Sequence, residues 1–289
     1  MTDLKILDLY ASLKMHLPPR ARDGHKGTYG SVLAIGGAPG FAGAIRLTAE
    51  AALRTGAGKV IIVTHPQHAN FLSIDCPELM CHGITYPNQV AFKSLLERAT
   101  VIAIGPGLGQ PDQSGDWSLG LLSAILNNPM PQILDADALN ILAMTPSLYD
   151  HLSPQSNRIW TPHVGEAARL LNTTPAAIQA DRPGALRALQ ARLGGVVVLK
   201  GAGTLIGSAT TACICTAGNP GMATAGMGDV LTGIIAGLLA QGLNPQLAAE
   251  CGVYMHALAG DRAAIAHGER GMIARDIFPY IRQYLNLKD

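Results

Sequence analysis

The sequence predicts an α/β fold, a three-layer α/β/α sandwich built on a mainly parallel sheet. Three observations carry that expectation. Short β-branched runs alternate with Ala-rich helical stretches. Several runs, Val60-Ile61-Ile62-Val63 and Val196-Val197-Val198-Leu199 among them, are apolar on both parities, which suits strands buried on both faces of a parallel sheet. Glycine clusters follow three of the strand ends, where tight strand-to-helix turns fall.

Taken in order, strands are expected at Ser31–Ile35, 60–64, Val101–Ile104, Gln132–Leu134, 158–161 and 196–200. Helices are expected between them at 43–55, 89–98, 115–126, 165–171 and 175–193, with Gly56 placed to end the first as a C-cap. This alternation implies right-handed crossovers with helices on both faces. After Lys200 the pattern changes. Thr204–Gly207 and 211–216 read as an antiparallel hairpin turning at 208–210, and three helices follow at 228–241, Pro245–His267 and 274–286. No linker, repeat or low-complexity stretch interrupts the chain. One domain over residues 1–289, with its core at about 20–285, is therefore expected.

Composition narrows the function. A chain of 289 residues with 48% hydrophobic and 14% charged residues is not a disordered one. Lys and Arg number 21 against 20 Asp and Glu, so no basic field invites nucleic acid, and 4% aromatics give little for stacking bases. The five cysteines (Cys76, Cys81, Cys213, Cys215, Cys251) show neither C-x-x-C nor zinc spacing and read as reduced thiols of a cytoplasmic protein. Residues 1–20 carry no apolar signal core. The longest apolar stretch, 230–240, is too short for a bilayer, so neither secretion nor membrane insertion is expected.

The most informative segment is 218–233, a Gly-rich turn running into a long apolar helix. The first N–H groups of such a helix lack internal partners and lie at its positive end, a ready anion site. Asp229 lies in the first turn. It fits a base that takes a proton from an attacking alcohol, and it also fits a plain helix cap. Other familiar catalytic sites are absent. There is no G-x-x-x-x-G-K-[ST], no G-x-G-x-x-G after the first strand, no G-x-S-x-G and no H-E-x-x-H. His65 and His68 read as surface residues.

Ala225-Gly226-Met227-Gly228-Asp229 resembles the anion-hole motif of the ribokinase-like superfamily. One branch is indicated by the wider set. His25-Lys26-Gly27-Thr28-Tyr29-Gly30, Gly36-Gly37 and Gly43-Ala44 come first. Gly105-Pro106-Gly107-Leu108-Gly109, Asp135-Ala136-Asp137-Ala138-Leu139-Asn140, Thr161-Pro162-His163-Val164-Gly165-Glu166 and Lys200-Gly201-Ala202-Gly203-Thr204 follow in order. Together they resemble the NAD(P)H-hydrate dehydratases over about residues 20–285. Ala38 departs from the pattern, where the family often has Ser, and the epimerase domain fused to this module in many bacteria is not in this sequence.

The resemblance implies a repair lyase. A nucleoside diphosphate or triphosphate (mainly ADP in bacteria, ATP in animals) phosphorylates the ring hydroxyl of NADHX or NADPHX with Mg²⁺, and phosphate then leaves. It further implies Asp229 as base, Gly226, Met227 and Gly228 as anion hole, and Lys200, Gly201, Ala202, Gly203, Thr204 and Gly228 as nucleotide site. Ala44, Gly107, His163 and Asp229 would meet the hydrated coenzyme. A homotetramer and a functional link to a separate epimerase are implied in the same way. The metal ligands are not assigned. Lys26 fits a solvated charge or a pyrophosphate contact. Asp135, Asp137 and Asn140 fit substrate or metal-water positioning as well as capping, and His163 fits a locally bonded histidine as well as a ligand. A same-fold kinase of a vitamin-type alcohol and a non-catalytic nucleotide sensor are the alternative functions.

Overall fold

The computed structural model describes residues 4–6, 17, 19–85, 89–110, 116–152 and 157–286. Ten strands form one sheet: β1 (Lys5–Ile6), β2 (Ser31–Ile35), β3 (Lys59–Thr64), β4 (Met80–Gly83), β5 (Val101–Ile104), β6 (Gln132–Leu134), β7 (Arg158–Trp160), β8 (Val196–Leu199), β9 (Thr204–Gly207) and β10 (Ala212–Cys215). Their spatial order is β1-β10-β9-β8-β7-β6-β5-β2-β3-β4. Every described pairing is parallel except those of β9, which runs antiparallel to both β8 and β10. The expected hairpin is that reversal, closed by Ser208 N donating to Thr211 O at 2.8 Å.

Among the described residues, ten α-helices cover the sheet: α1 (Ala42–Thr55), α2 (Gln89–Leu96), α3 (Asp116–Leu126), α4 (Ala136–Met144), α5 (Val164–Leu170), α6 (Pro175–Ala180), α7 (Arg182–Leu193), α8 (Met227–Ala240), α9 (Pro245–His267) and α10 (Phe278–Leu285). Because side chains alternate along a strand, Val32 and Ala34 join the apolar cluster under α1, α8, α9 and α10. Leu33 and Ile35 join the one under α2 to α7. The result is the three-layer sandwich that the strands' two-sided apolar pattern requires. α1 and α8 approach so closely that a Cβ at Gly233 would run into Thr48 O. That approach carries the start of α8 onto the start of α1.

Several local expectations need correction. The helix expected over 175–193 is two helices. Asp181 interrupts it and caps α7, its carboxylate accepting from Gly184 N at 2.8 Å. Pro183 accounts for the break, since it has no N–H and clashes with the preceding turn of a continuous helix. The last helix begins as a 3-10 turn at Ala274–Ile277 before α10. β1, β4 and α4 are additions to the expected elements. Gly56 does end α1, left-handed at φ 113°, with its N–H on Ala52 O and Leu53 O. Gly115, expected to open α3, lies outside the described residues.

Candidate active site

Parallel strands gather their following loops on one edge of the sheet, where open α/β folds bind ligands. The loops after β2 and β5 are joined there, Ala38 N donating to Gly107 O at 2.7 Å and Gly37 N to Pro106 O at 3.3 Å. Gly107 is adjacent to Ala44: a Cβ on Gly107 would lie 3.2 Å from the Ala44 Cβ and 2.8 Å from that of Phe41. Phe41 is 47% exposed beside them.

Next to this pair, α8 opens. Its N-cap is Gly226 at φ 89°, a left-handed turn that favours glycine, and Asp229 is the third helical residue rather than the cap. The backbone of Asp229 is tied to α1: Thr48 Oγ1 donates to Asp229 O at 3.0 Å and to Ala44 O at 3.1 Å. Among the described residues, no donor hydrogen-bonds the Asp229 carboxylate. Burial, then the charge of Asp135, push its pKa up to about 6, against the opposing pull of Lys200.

Beneath the helix start lies a buried charge cluster. Lys200 Nζ is 2.6 Å from Asp135 Oδ1 and 4.0 Å from Glu166 Oε2, and Thr232 Oγ1 donates to Asp135 Oδ2 at 2.8 Å. A Cβ at Gly228 would lie 3.3 Å from Lys200 Nζ. Burial pulls the Lys200 pKa down, but Asp135 and Glu166 outweigh it and the net shift is upward, so Lys200 stays cationic. Burial also raises the Glu166 carboxyl. The Lys200 ammonium is thus turned toward carboxylates under α8, away from the exposed loop of Gly201 and Ala202 with which the sequence groups it.

That loop is held by Arg182, whose Nη2 donates to Leu199 O and to Gly203 O, each at 3.1 Å. Thr204 Oγ1 donates to Gly201 O at 2.8 Å. Sequence reasoning did not single out Arg182, Thr48, Thr232 or the Asp135–Lys200 pairing, because each partner comes from a distant segment.

His163 is the N-cap of α5. Its Nδ1 accepts from Gly165 N at 2.9 Å and Glu166 N at 3.3 Å, while Glu166 Oε2 accepts from His163 N at 2.8 Å. A nitrogen that accepts both bonds carries no proton, so the ring is the neutral Nε2–H tautomer, with Nε2 3.2 Å from Glu166 Oε1. Burial and the Lys200 charge also lower its pKa. Its side chain remains 52% exposed, so local bonding leaves a face for a ligand. Asp137 holds the β5 loop through Gly109 N at 2.9 Å, and Asn140 is bonded by Arg169 Nη1 at 2.7 Å. Lys26 is exposed. His65 and His68 are half-buried rather than on the surface, the His65 ring lying 6.0 Å from that of Trp117.

Among the described residues, no group of three or more His, Cys, Asp or Glu side chains can hold a metal ion. Magnesium needs no such cage, since it keeps waters and phosphate oxygens and adds one or two carboxylates. Both oxygens of Asp135 are engaged, by Lys200 and Thr232, and Glu166 accepts from His163 N, which leaves Asp229 as the carboxylate of this cluster that accepts no hydrogen bond from the described residues.

An anion-ready helix start with a half-buried acid in its first turn, on the carboxyl edge of a three-layer sandwich, defines the ribokinase-like class. In agreement, a solved ribokinase-like superfamily protein from Enterococcus faecalis superposes with TM-score 0.84 at 30% identity, covering 99% of this chain and 96% of that one. The chain belongs to the NAD(P)H-hydrate dehydratase family, whose model matches residues 32–283. It is 49% identical over 286 residues to the bifunctional NAD(P)H-hydrate repair enzyme of Coxiella burnetii, covering 99% of this chain and 56% of that relative. The chain thus spans about half the length of several curated relatives it matches. The ADP-dependent (S)-NAD(P)H-hydrate dehydratase of Neisseria meningitidis is 41% identical, with 92% of this chain and 88% of that one covered. The ADP/ATP-dependent NAD(P)H-hydrate dehydratase of Bacillus subtilis, crystallised with ATP and Mg²⁺, superposes with TM-score 0.83 at 27% identity and 98% coverage of both.

Proposed function

We propose that this chain dehydrates NADHX and NADPHX to NADH and NADPH with ADP as phosphoryl donor. The observation that carries the reading is Asp229: a half-buried carboxylate, accepting no hydrogen bond from the described residues and raised to about 6, in the first turn of an anion-binding helix. Asp229 takes the proton of the ring hydroxyl as its oxygen bonds to the phosphorus of the donor. The bond from that phosphorus to the bridging oxygen breaks and AMP leaves. The N–H groups of Gly226, Met227 and Gly228 stabilise the charge on the transferring group. The carbon–oxygen bond then breaks with its electron pair on phosphate, pushed by the ring nitrogen lone pair, and a proton leaves the neighbouring ring carbon.

The remaining roles follow the site's layout. Ala44, Gly107 and the exposed face of His163 receive the hydrated coenzyme. The loop of Gly201, Ala202, Gly203 and Thr204, with Gly228, receives the nucleotide. Lys200 neutralises the carboxylates beneath the anion hole. Magnesium would be held by the nucleotide phosphates and by water, where it would supply charge neutralisation. We place the reaction in the cytoplasm, a reading supported by five free cysteines and by the absence, among the described residues, of a helix long and apolar enough to cross a membrane. The family resemblance supports a homotetramer working with an NAD(P)HX epimerase. The test is product stoichiometry: one AMP and one inorganic phosphate should appear per NADH formed. NADH formed without AMP would refute the phosphorylation step.

A further inference from the structure

The segment that leads into the anion hole does not stand by itself. It lies against one face of α9, made by residues three and four apart. At Gly218, a Cβ would come within 3.8 Å of the Ala257 Cβ. One turn on, Gly260 leaves room for Met222, whose sulfur a Cβ there would strike. Beside it, Asp261 Oδ2 accepts from Gly218 N at 3.0 Å and Oδ1 accepts from Asn219 Nδ2 at 2.9 Å. Asn219 Oδ1 in turn accepts from Gly221 N at 3.0 Å, closing the turn at Pro220–Met222. Nearer the start of α9, His256 faces the backbone of Met227, the first residue of α8. A single helix therefore grips the run from Gly218 to Met227 at both ends.

We infer that Asp261 is a positioning residue for the donor phosphates, acting through Asn219 and Gly218 to hold the chain that enters the anion hole. The inference rests on the proposed nucleotide role of residues 226–228. A backbone anion site stabilises developing charge only if its N–H groups are already aimed, so slack in the preceding turn is felt in the transition state. The turn's other bonds are local, Gly221 N to Asn219 Oδ1 at 3.0 Å and Met222 N to Asn219 O and Ala223 N to Pro220 O, each at 3.1 Å, and the two acceptors of Asp261 tie that turn to α9. It does not touch Ala44, Gly107 or His163, so its influence should fall on the nucleotide side of the site.

The hydrogen-bond pattern allows a reciprocal test. In Asp261→Asn, the new amide nitrogen faces the amide nitrogen of Asn219, donor against donor. In Asn219→Asp alone, two carboxylates face each other. In the double variant N219D/D261N, Asp at 219 accepts from Gly221 N and from the new amide, and the new amide oxygen accepts from Gly218 N. All three bonds return with net charge unchanged. Steady-state kinetics should show D261N with KM for ADP raised at least tenfold, kcat lowered, and KM for hydrated NADH within twofold of the parent. N219D should be worse, and the double variant should recover to within about threefold. Recovery is the readout that a merely structural aspartate would not give. Parental constants in D261N, equal rises in both KM values, or a double variant no better than D261N would overturn the inference. If D261N does not fold, the double variant decides: parental activity supports the pairing and continued misfolding overturns it. Calorimetry of the parent with ADP separates the two readings, since no ADP binding there means that the proposed function has failed, not the positioning role.

Discussion

Lys200 and the buried Asp135 form a part-buried ion pair of 2.6 Å directly under the helix start that carries Asp229. The pair couples fold and chemistry. Lys200 opposes the rise in the Asp229 pKa, whereas Asp135 adds to it. Removing the cation while leaving the anion should therefore raise the Asp229 pKa above about 6. In Lys200→Gln, the acid limb of the kcat/KM profile should move to higher pH. Stability should fall by about 3–5 kcal/mol, the cost of a buried charge left without its partner. A pH–rate series with denaturant titration measures both.

Asp229 itself should trade stability for activity. Its folded pKa lies above that of an exposed carboxyl, so the folded state binds this proton more tightly than the unfolded chain. The favourable contribution is present at low pH and is lost as pH rises through about 6. Asp229→Asn removes the ionisation. The variant should melt higher than the parent at pH 8, and the difference should shrink below pH 6. Melting curves across that range check the sign.

His163 has a structural job and a proposed ligand job, and two substitutions separate them. His163→Ala loses the acceptor for Gly165 N and Glu166 N, which should cost about 1 kcal/mol, and it should raise KM for the hydrated coenzyme. His163→Asn keeps an acceptor at the cap. It should restore the melting temperature while KM for the coenzyme stays raised. KM for ADP should stay near the parental value in both.

Gly203 should report on the opposite side of the site. Its φ of 65° disfavours any residue with a Cβ, and the nearest atom to that Cβ would be Ile214 Cδ1 at 3.3 Å. Gly203→Val should distort the loop held by Arg182 and raise KM for ADP much more than KM for hydrated NADH. Isothermal calorimetry with each ligand alone checks that the Michaelis constants report binding.

Much of this fold was legible because a parallel sheet writes itself as short runs apolar on both parities, as at β3 and β8. β4, Met-Cys-His-Gly, has no such run and pairs only at the sheet's edge, so nothing local marks it. The break at Asp181 was written in Pro183, one residue inside a stretch otherwise helical by composition. The site divided in the same way. Backbone features (the helix start at Gly226, the loops at Gly107 and Gly203) follow from glycine placement and motif order. The charge cluster does not, because Lys200, Asp135, Glu166 and Thr232 come from four segments whose meeting depends on strand order.

The central claim is that Asp229 serves as base in a donor-dependent dehydration, and absorbance at 340 nm tests it most directly. Parent protein mixed with hydrated NADH, Mg²⁺ and ADP should restore the absorbance of NADH. Asp229→Asn, shown by calorimetry to bind ADP as the parent does, should restore it at least about 10²-fold more slowly, as for a lost general base. Recovery by the variant at the parental rate, or recovery by the parent without any nucleotide, would contradict the account.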